Sequence, residues 1–121
     1  MLNRESQMHV EVREGMRGGK GKVRIQHFFA EETDLKGQAR LVGRITIDQG
    51  ASIGLHSHEA EEEIYYILRG GGRVKEIRPD GEEEEYEVRP GDAILTGNGG
   101  SHSIENISAE PLELIAVILT Y

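Results

Sequence analysis

His56 and His58 stand one residue apart, and Glu59, Glu61, Glu62 and Glu63 follow before the chain turns apolar at Ile64. Imidazole and carboxylate are the donors that hold divalent first-row metals, and with no cysteine in the chain no thiolate can take their place. In an extended strand, side chains two apart project to one face about 6.6 Å apart at Cα, so His56 and His58 point together. Glu63 heads the next apolar run, IYYIL, and shares its face with Tyr65 and Ile67. His102 opens the segment HSIEN, with Ile104 and Asn106 on its own face. If these faces line one interior, three neutral imidazoles and one carboxylate form a donor set suited to Mn, Fe, Co, Ni or Zn. Strand parity does not separate Glu61 from Glu63, because both fall on one face of a regular strand. The direct entry into IYYIL favours Glu63.

Other segments read more plainly. Ser57 lies between the two histidines but faces away from them, so a serine nucleophile is not assembled. MRGGKGK, residues 16–22, lacks the GK[ST] ending of a phosphate loop and opens a strand, not a helix, so it reads as a mobile hairpin or arm. GNGGS, residues 97–101, reads as the turn that delivers His102. EEEEYEV, residues 82–88, follows a PDG turn and reads as a solvated strand edge. His9 and His27 read as ordinary strand residues.

The elements that must position these groups are strands. Sixteen glycines and short alternating or β-branched runs argue for strands joined by tight turns, and no dozen-residue window carries a helical apolar stripe. Strands are expected near residues 8–12, 22–29, 39–47, 52–58, 63–68, 73–78, 83–88, 92–96, 102–106 and 112–119, with one short helical turn near 30–35. About ten short strands at this spacing describe an all-β fold, a sandwich or jelly-roll barrel. No repeat or linker divides the chain: residues 1–121 read as one domain, with 1–36 as N-terminal strands and arm and 50–106 carrying the candidate ligands. Glu63–Leu68 and Leu114–Leu119 are apolar on both faces and must be covered twice, by the N-terminal segment or a partner subunit. A homodimer is expected.

Composition narrows the partners. Twenty-two acidic residues against fourteen basic ones give a formal charge of −8, which repels nucleic acid, and two Phe with no Trp leave little for stacking on bases. The longest apolar run, LIAVIL, falls far short of the about 20 residues of a membrane helix, and the first dozen residues lack the apolar core of a secretory signal. A cytoplasmic protein acting on a small molecule is expected.

The motif spacing resembles the cupin family. Gly50, five residues, His56-x-His58, four residues, Glu63, six residues and Gly70 are similar to its first motif. Gly91, five residues, Gly97, one residue, Gly99, two residues, His102, three residues and Asn106 are similar to its second. Gly97 stands where the family usually has proline, which removes a rigid residue from the turn before His102. The resemblance implies a double-stranded β-helix, the jelly-roll cupin barrel, with His56, His58, Glu63 and His102 as metal ligands and Asn106 as a brace. A His-x-His pair alone is commonly incidental; the bracketing glycines and His102 give this one its meaning. Glu62 is the alternative carboxylate, because some cupins have a shorter spacer.

One divalent transition metal per chain is expected, manganese first, with Fe, Ni, Co or Zn as alternatives. Four protein ligands would leave about two octahedral positions for a bidentate oxygen ligand. Three functions fit. The first is decarboxylation or oxidation of a carboxylate or hydroxy-carbonyl compound, as in the oxalate-processing cupins. Oxalate decarboxylases, however, carry an arginine three residues before the first histidine, where this chain has Ile53, and usually have two such domains. The second is a sugar or sugar-phosphate isomerase, which needs a base; Tyr65, with Glu61 close by, is the candidate catalytic side chain. The third is a non-catalytic metabolite sensor.

Overall fold

A computed structural model describes residues 1–121. Ten strands form: β1 His9–Glu14, β2 Lys22–His27, β3 Ala39–Ile47, β4 Ser52–Ser57, β5 Glu61–Arg69, β6 Gly72–Ile77, β7 Glu83–Val88, β8 Ala93–Thr96, β9 Ser101–Asn106 and β10 Leu112–Thr120. All pair antiparallel, in a six-stranded sheet of order β1-β2-β3-β10-β5-β8 and a four-stranded sheet of order β4-β9-β6-β7. This is the jelly-roll architecture expected of the strand spacing. Where a short helical turn is expected near 30–35 the chain makes a hydrogen-bonded turn instead, with the Asp34 and Leu35 amides both donating to the Ala30 carbonyl, and its two 3-10 turns lie at Glu5–Gln7 and Met16–Gly18. No helix is long and apolar enough to cross a membrane.

Period-two patterning sets which side of each strand enters the core. On β10, Leu114, Ala116 and Ile118 are buried; on β5, Glu63, Tyr65 and Ile67 are. They meet Ile53 of β4, Val74 of β6 and Ile104 of β9 from the smaller sheet, so the core fills the space between the two layers. The opposite face of the larger sheet stays open at Tyr66, Leu68 and Leu95, which are 45%, 40% and 59% exposed. The N-terminal segment does not cover them.

Two local devices shape the end where the histidines lie. Between Ile53, opposite Ile104, and His56, opposite His102, β4 carries one residue more than β9, a bulge that returns His56 to the interior two positions after Gly54. Against that bulge sits the loop between β1 and β2. The sequence suggests a mobile arm here; instead Met16–Gly18 forms a short 3-10 turn packed on β4. A Cβ at Gly54 would lie 2.1 Å from the Arg17 carbonyl oxygen, and one at Gly19 would lie 2.2 Å from the Ser52 carbonyl oxygen, so the backbones touch only because both residues are glycine. The Ser52 amide donates to the Lys20 carbonyl at 2.8 Å and closes the seam.

Candidate metal centre

His56 and His58 come from β4 and the residue after it, Glu63 from β5, and His102 from β9, opposite His56 in the sheet register. Their ligand atoms all lie within 4.8 Å of one another. The Nε2 atoms of His58 and His102 are 3.0 Å apart, those of His102 and His56 are 3.2 Å apart, and Glu63 Oε1 lies 3.0 Å from both His58 Nε2 and His102 Nε2. Bonds of about 2.1 Å place neighbouring donors about 3.0 Å apart on an octahedron and about 3.4 Å apart on a tetrahedron, so these four short spacings match octahedral edges, while the full set spreads to 4.8 Å.

The cluster also passes a test of fit. Glu63 is almost wholly buried, yet its Oε1 has no hydrogen-bond partner although two ring nitrogens lie at contact distance. The nitrogens are close but do not direct a proton at it; the four donors converge on a common point. An orphaned carboxylate oxygen among three imidazoles is costly unless a cation meets it there.

Each imidazole is oriented through its far nitrogen. His56 Nδ1 lies 2.7 Å from the Gly54 carbonyl, His58 Nδ1 2.7 Å from Glu61 Oε1, and His102 Nδ1 2.7 Å from Thr96 Oγ1. With Nδ1–H donating outward, each Nε2 lone pair faces the centre, the tautomer a metal requires. Glu61 is itself held by Arg40, whose Nε and Nη2 donate to it at 2.6 and 2.8 Å.

The charges follow from these contacts. Burial pushes the His56 imidazole down to about 4, against the Gly54 carbonyl, so it is neutral at neutral pH. Burial would lower His58 too, but the neighbouring Glu63 and Glu61 carboxylates outweigh this and raise it. Burial would raise Glu63, but His102 and His58 bring it down to about 2. The Arg40 guanidinium, with His58 adding to it against burial, brings Glu61 to about 2.

Of the sequence candidates, the structure brings His56, His58, Glu63 and His102 together and separates the neighbouring glutamates by role. Glu61 reaches His58 from outside, while Glu62 faces the other way and meets the Tyr121 hydroxyl. Tyr65 stacks on His102, with centroids 5.0 Å apart and planes 19° apart, and lies beside Glu63. Burial and Glu63 raise its phenol well above the ordinary value. Asn106 braces the sheet: its amide donates to the Ile47, Asp48 and Glu110 carbonyls and accepts from Ser108. Despite Gly97 in the proline position, the turn before His102 is tied down, with the Gly99 amide donating to the His58 carbonyl at 2.7 Å and the His58 amide to the Gly100 carbonyl at 3.0 Å. His9 and His27 lie apart, stacked on each other, with His27 against Glu11.

Sequence reasoning missed Arg40 and Thr96. Neither has a local signal: Arg40 reaches Glu61 from β3, across β10, and Thr96 meets His102 from β8 in the other sheet.

Known proteins agree with this geometry. A family model described as a cupin domain matches residues 43–118. The chain is 41% identical over 119 residues to the oxalate-binding protein of Thermotoga maritima, across 98% of this chain and 93% of that protein. A crystal structure described as a predicted oxalate decarboxylase from the same organism superposes with a TM-score of 0.86 at 40% identity, covering 100% of both chains. The oxalate decarboxylase of Bacillus subtilis is 28% identical over 98 residues, which are 80% of this chain but only 24% of that protein. Two antiparallel sheets closing on a His/Glu cluster, with a family match across most of the strands, establish that the chain belongs to the cupin family.

Proposed function

We propose that this chain holds one divalent transition metal, manganese foremost, on His56, His58, Glu63 and His102, and binds a small dicarboxylate of the oxalate class there. Decarboxylation or oxidation of that ligand is the reaction proposed. The observation that carries the reading is the set of donor distances near 3.0 Å around an unsatisfied buried Glu63 oxygen. His56 is the only half-buried member, so the approach from solvent lies on its side. The resemblance to the oxalate-binding protein of Thermotoga maritima supports oxalate as the ligand.

Once bound, the metal would supply Lewis acidity towards two oxygen donors of the ligand. The chain's own residues do the rest. Gly54, Glu61 and Thr96 hold the Nδ1 protons outward. Glu63 contributes a single negative charge, and Tyr65 caps it and excludes water from that side. Titrating the purified manganese-loaded chain with oxalate, then assaying formate, carbon dioxide and peroxide, tests the proposal. One bound metal and one bound oxalate per chain are expected; a chain that retains neither refutes it.

A second reading, ligand binding without turnover, has its own support. Of the two side chains that sequence offers as proton shuttles, Tyr65 is buried beside Glu63, and Glu61 is occupied by Arg40 and His58. That arrangement weakens the isomerase reading most. Tight oxalate binding with no product would favour the sensor over the enzyme. The open face carrying Tyr66, Leu68 and Leu95 supports the proposal of a homodimer; Leu68→Glu/Leu95→Glu should convert it to monomer in sedimentation, and an unchanged wild-type monomer would refute it.

A further inference from the structure

We infer that Arg40 is a positioning residue for the metal centre: by gripping Glu61 from outside, it fixes the ring nitrogen through which His58 meets the metal. The inference rests on the proposed metal site and deepens it.

Arg40 reaches Glu61 only because β3 breaks its register there. Leu41, Ile45 and Ile47 are buried, so in a regular strand Arg40 would turn to the opposite face with Val42, Arg44 and Thr46. Instead Ile118 of β10 lies opposite Leu41 and Leu119 lies opposite Ala39, which leaves Arg40 without a partner on β10. An extra residue of this kind re-aims its side chain. Arg40 thereby crosses β10 and meets Glu61 at the start of β5, two strands away.

The grip leaves Glu61 one orientation. Arg40 Nε donates to Glu61 Oε2 at 2.6 Å and Nη2 donates to Oε1 at 2.8 Å, the two-pronged match of a guanidinium to a carboxylate. His58 Nδ1 lies 2.7 Å from that same Oε1. Glu61 cannot rotate away from His58 without breaking its bonds to Arg40. A carboxylate paired with an arginine only accepts hydrogen bonds, so His58 Nδ1 carries the proton and Nε2 keeps its lone pair for the metal.

Burial separates this pair from the other arginine pairs of the chain. The Glu61 side chain is 13% exposed, whereas the carboxylates paired with Arg13, Arg44, Arg69, Arg73 and Arg78 are at least 30% exposed. Exposed pairs of that kind contribute little. Arg40 also lines a cavity of about 480 Å³ together with His9 and His27, and the exposed Glu31 and Glu32 stand at it. None of the four candidate metal ligands lines that cavity. Truncating Arg40 would therefore leave room, on the cavity side, for a free guanidinium ion to take its place against Glu61.

The test measures manganese affinity by chelator competition in the full chain and in Arg40→Ala, Glu61→Gln and the double variant. Arg40→Ala is expected to bind manganese about tenfold more weakly than wild type, the size of a lost outer partner. In the Glu61→Gln background the same change should shift affinity by no more than about twofold, because Arg40 acts through Glu61. Guanidinium chloride well below denaturing concentrations should restore much of the loss in Arg40→Ala and leave wild type unchanged, with urea as the uncharged control. An arginine that served stability alone would lower the melting temperature and leave the metal affinity of the folded chain where it was. If Arg40→Ala does not fold, Arg40→Gln, which still offers Glu61 a donor, takes its place in the cycle. Wild-type-like affinity, an equal loss in both backgrounds, or a loss that guanidinium leaves untouched overturns the role of Arg40 and leaves the proposed function standing. No manganese binding by wild type overturns both.

Discussion

Replacing Glu61 by glutamine changes one charge outside the metal cluster and should loosen the metal. Glu61 accepts from His58 Nδ1 at 2.7 Å and from Arg40 Nε and Nη2 at 2.6 and 2.8 Å. A glutamine keeps one carbonyl oxygen and turns an NH₂ towards a donor, so it cannot satisfy both His58 and the two-pronged guanidinium. His58 then loses the partner that fixes its tautomer and the negative charge that raises its basicity. Loss of such an outer partner weakens metal affinity about tenfold to a hundredfold, or about 1.4–2.7 kcal/mol. Competition against a fluorescent chelator at neutral pH measures this directly. Glu62→Gln is the control, since Glu62 points to Tyr121, and it should leave the affinity unchanged. A second arm uses pH. Glu61 is depressed from 4.5 to about 2, so its contribution to stability is complete above 4.5 and is lost as pH falls towards 2. The gap in urea midpoint between wild type and Glu61→Gln should therefore close over that window. If Glu61→Gln binds metal within about twofold of wild type, the outer bond to His58 does not tune the centre and the reasoning fails.

Three further outcomes follow from the same geometry. The double variant His56→Ala/His102→Ala removes two of four donors and should lose its metal; full stoichiometry by elemental analysis would contradict the ligand set. Because His58 is raised above 6.5 in the metal-free cluster, metal must displace a proton, so affinity should climb as pH rises from about 6.5 through the neutral range, with proton release seen as a buffer-dependent heat; a flat profile would contradict it. Gly54→Ala puts a Cβ against two backbone groups, the Arg17 carbonyl at 2.1 Å and the Gly19 amide at 2.8 Å, and should destabilise the chain by about 1–3 kcal/mol in denaturant unfolding; a neutral result would mean the loop is not held against β4.

Sequence by itself determined the strands and the ligand types. Period two in EIYYIL and LELIAVIL grouped Glu63, Tyr65 and Ile67 on one face and Leu114, Ala116 and Ile118 on one face, but both strands are apolar on both faces, and only the packing of the two sheets decided that these sets are the buried ones. The absence of cysteine and the spacing of His56, His58 and His102 limited the donors to nitrogen and oxygen. Tertiary structure decided what periodicity leaves degenerate. Glu61 and Glu63 share a face, and it is Arg40, arriving from β3, that draws Glu61 outside while Glu63 turns inward. Tyr65 shares the parity of Glu63, and its enclosure in the core, which raises its phenol well above the ordinary value, is set by segments distant in sequence. The glycine-rich loop reads as a free arm in one dimension and is a clamp in three, since its contact with Gly54 joins residues 17 and 54. Local pattern records which way a side chain faces; which groups it meets there depends on chain segments tens of residues away, and no short-range signal encodes them.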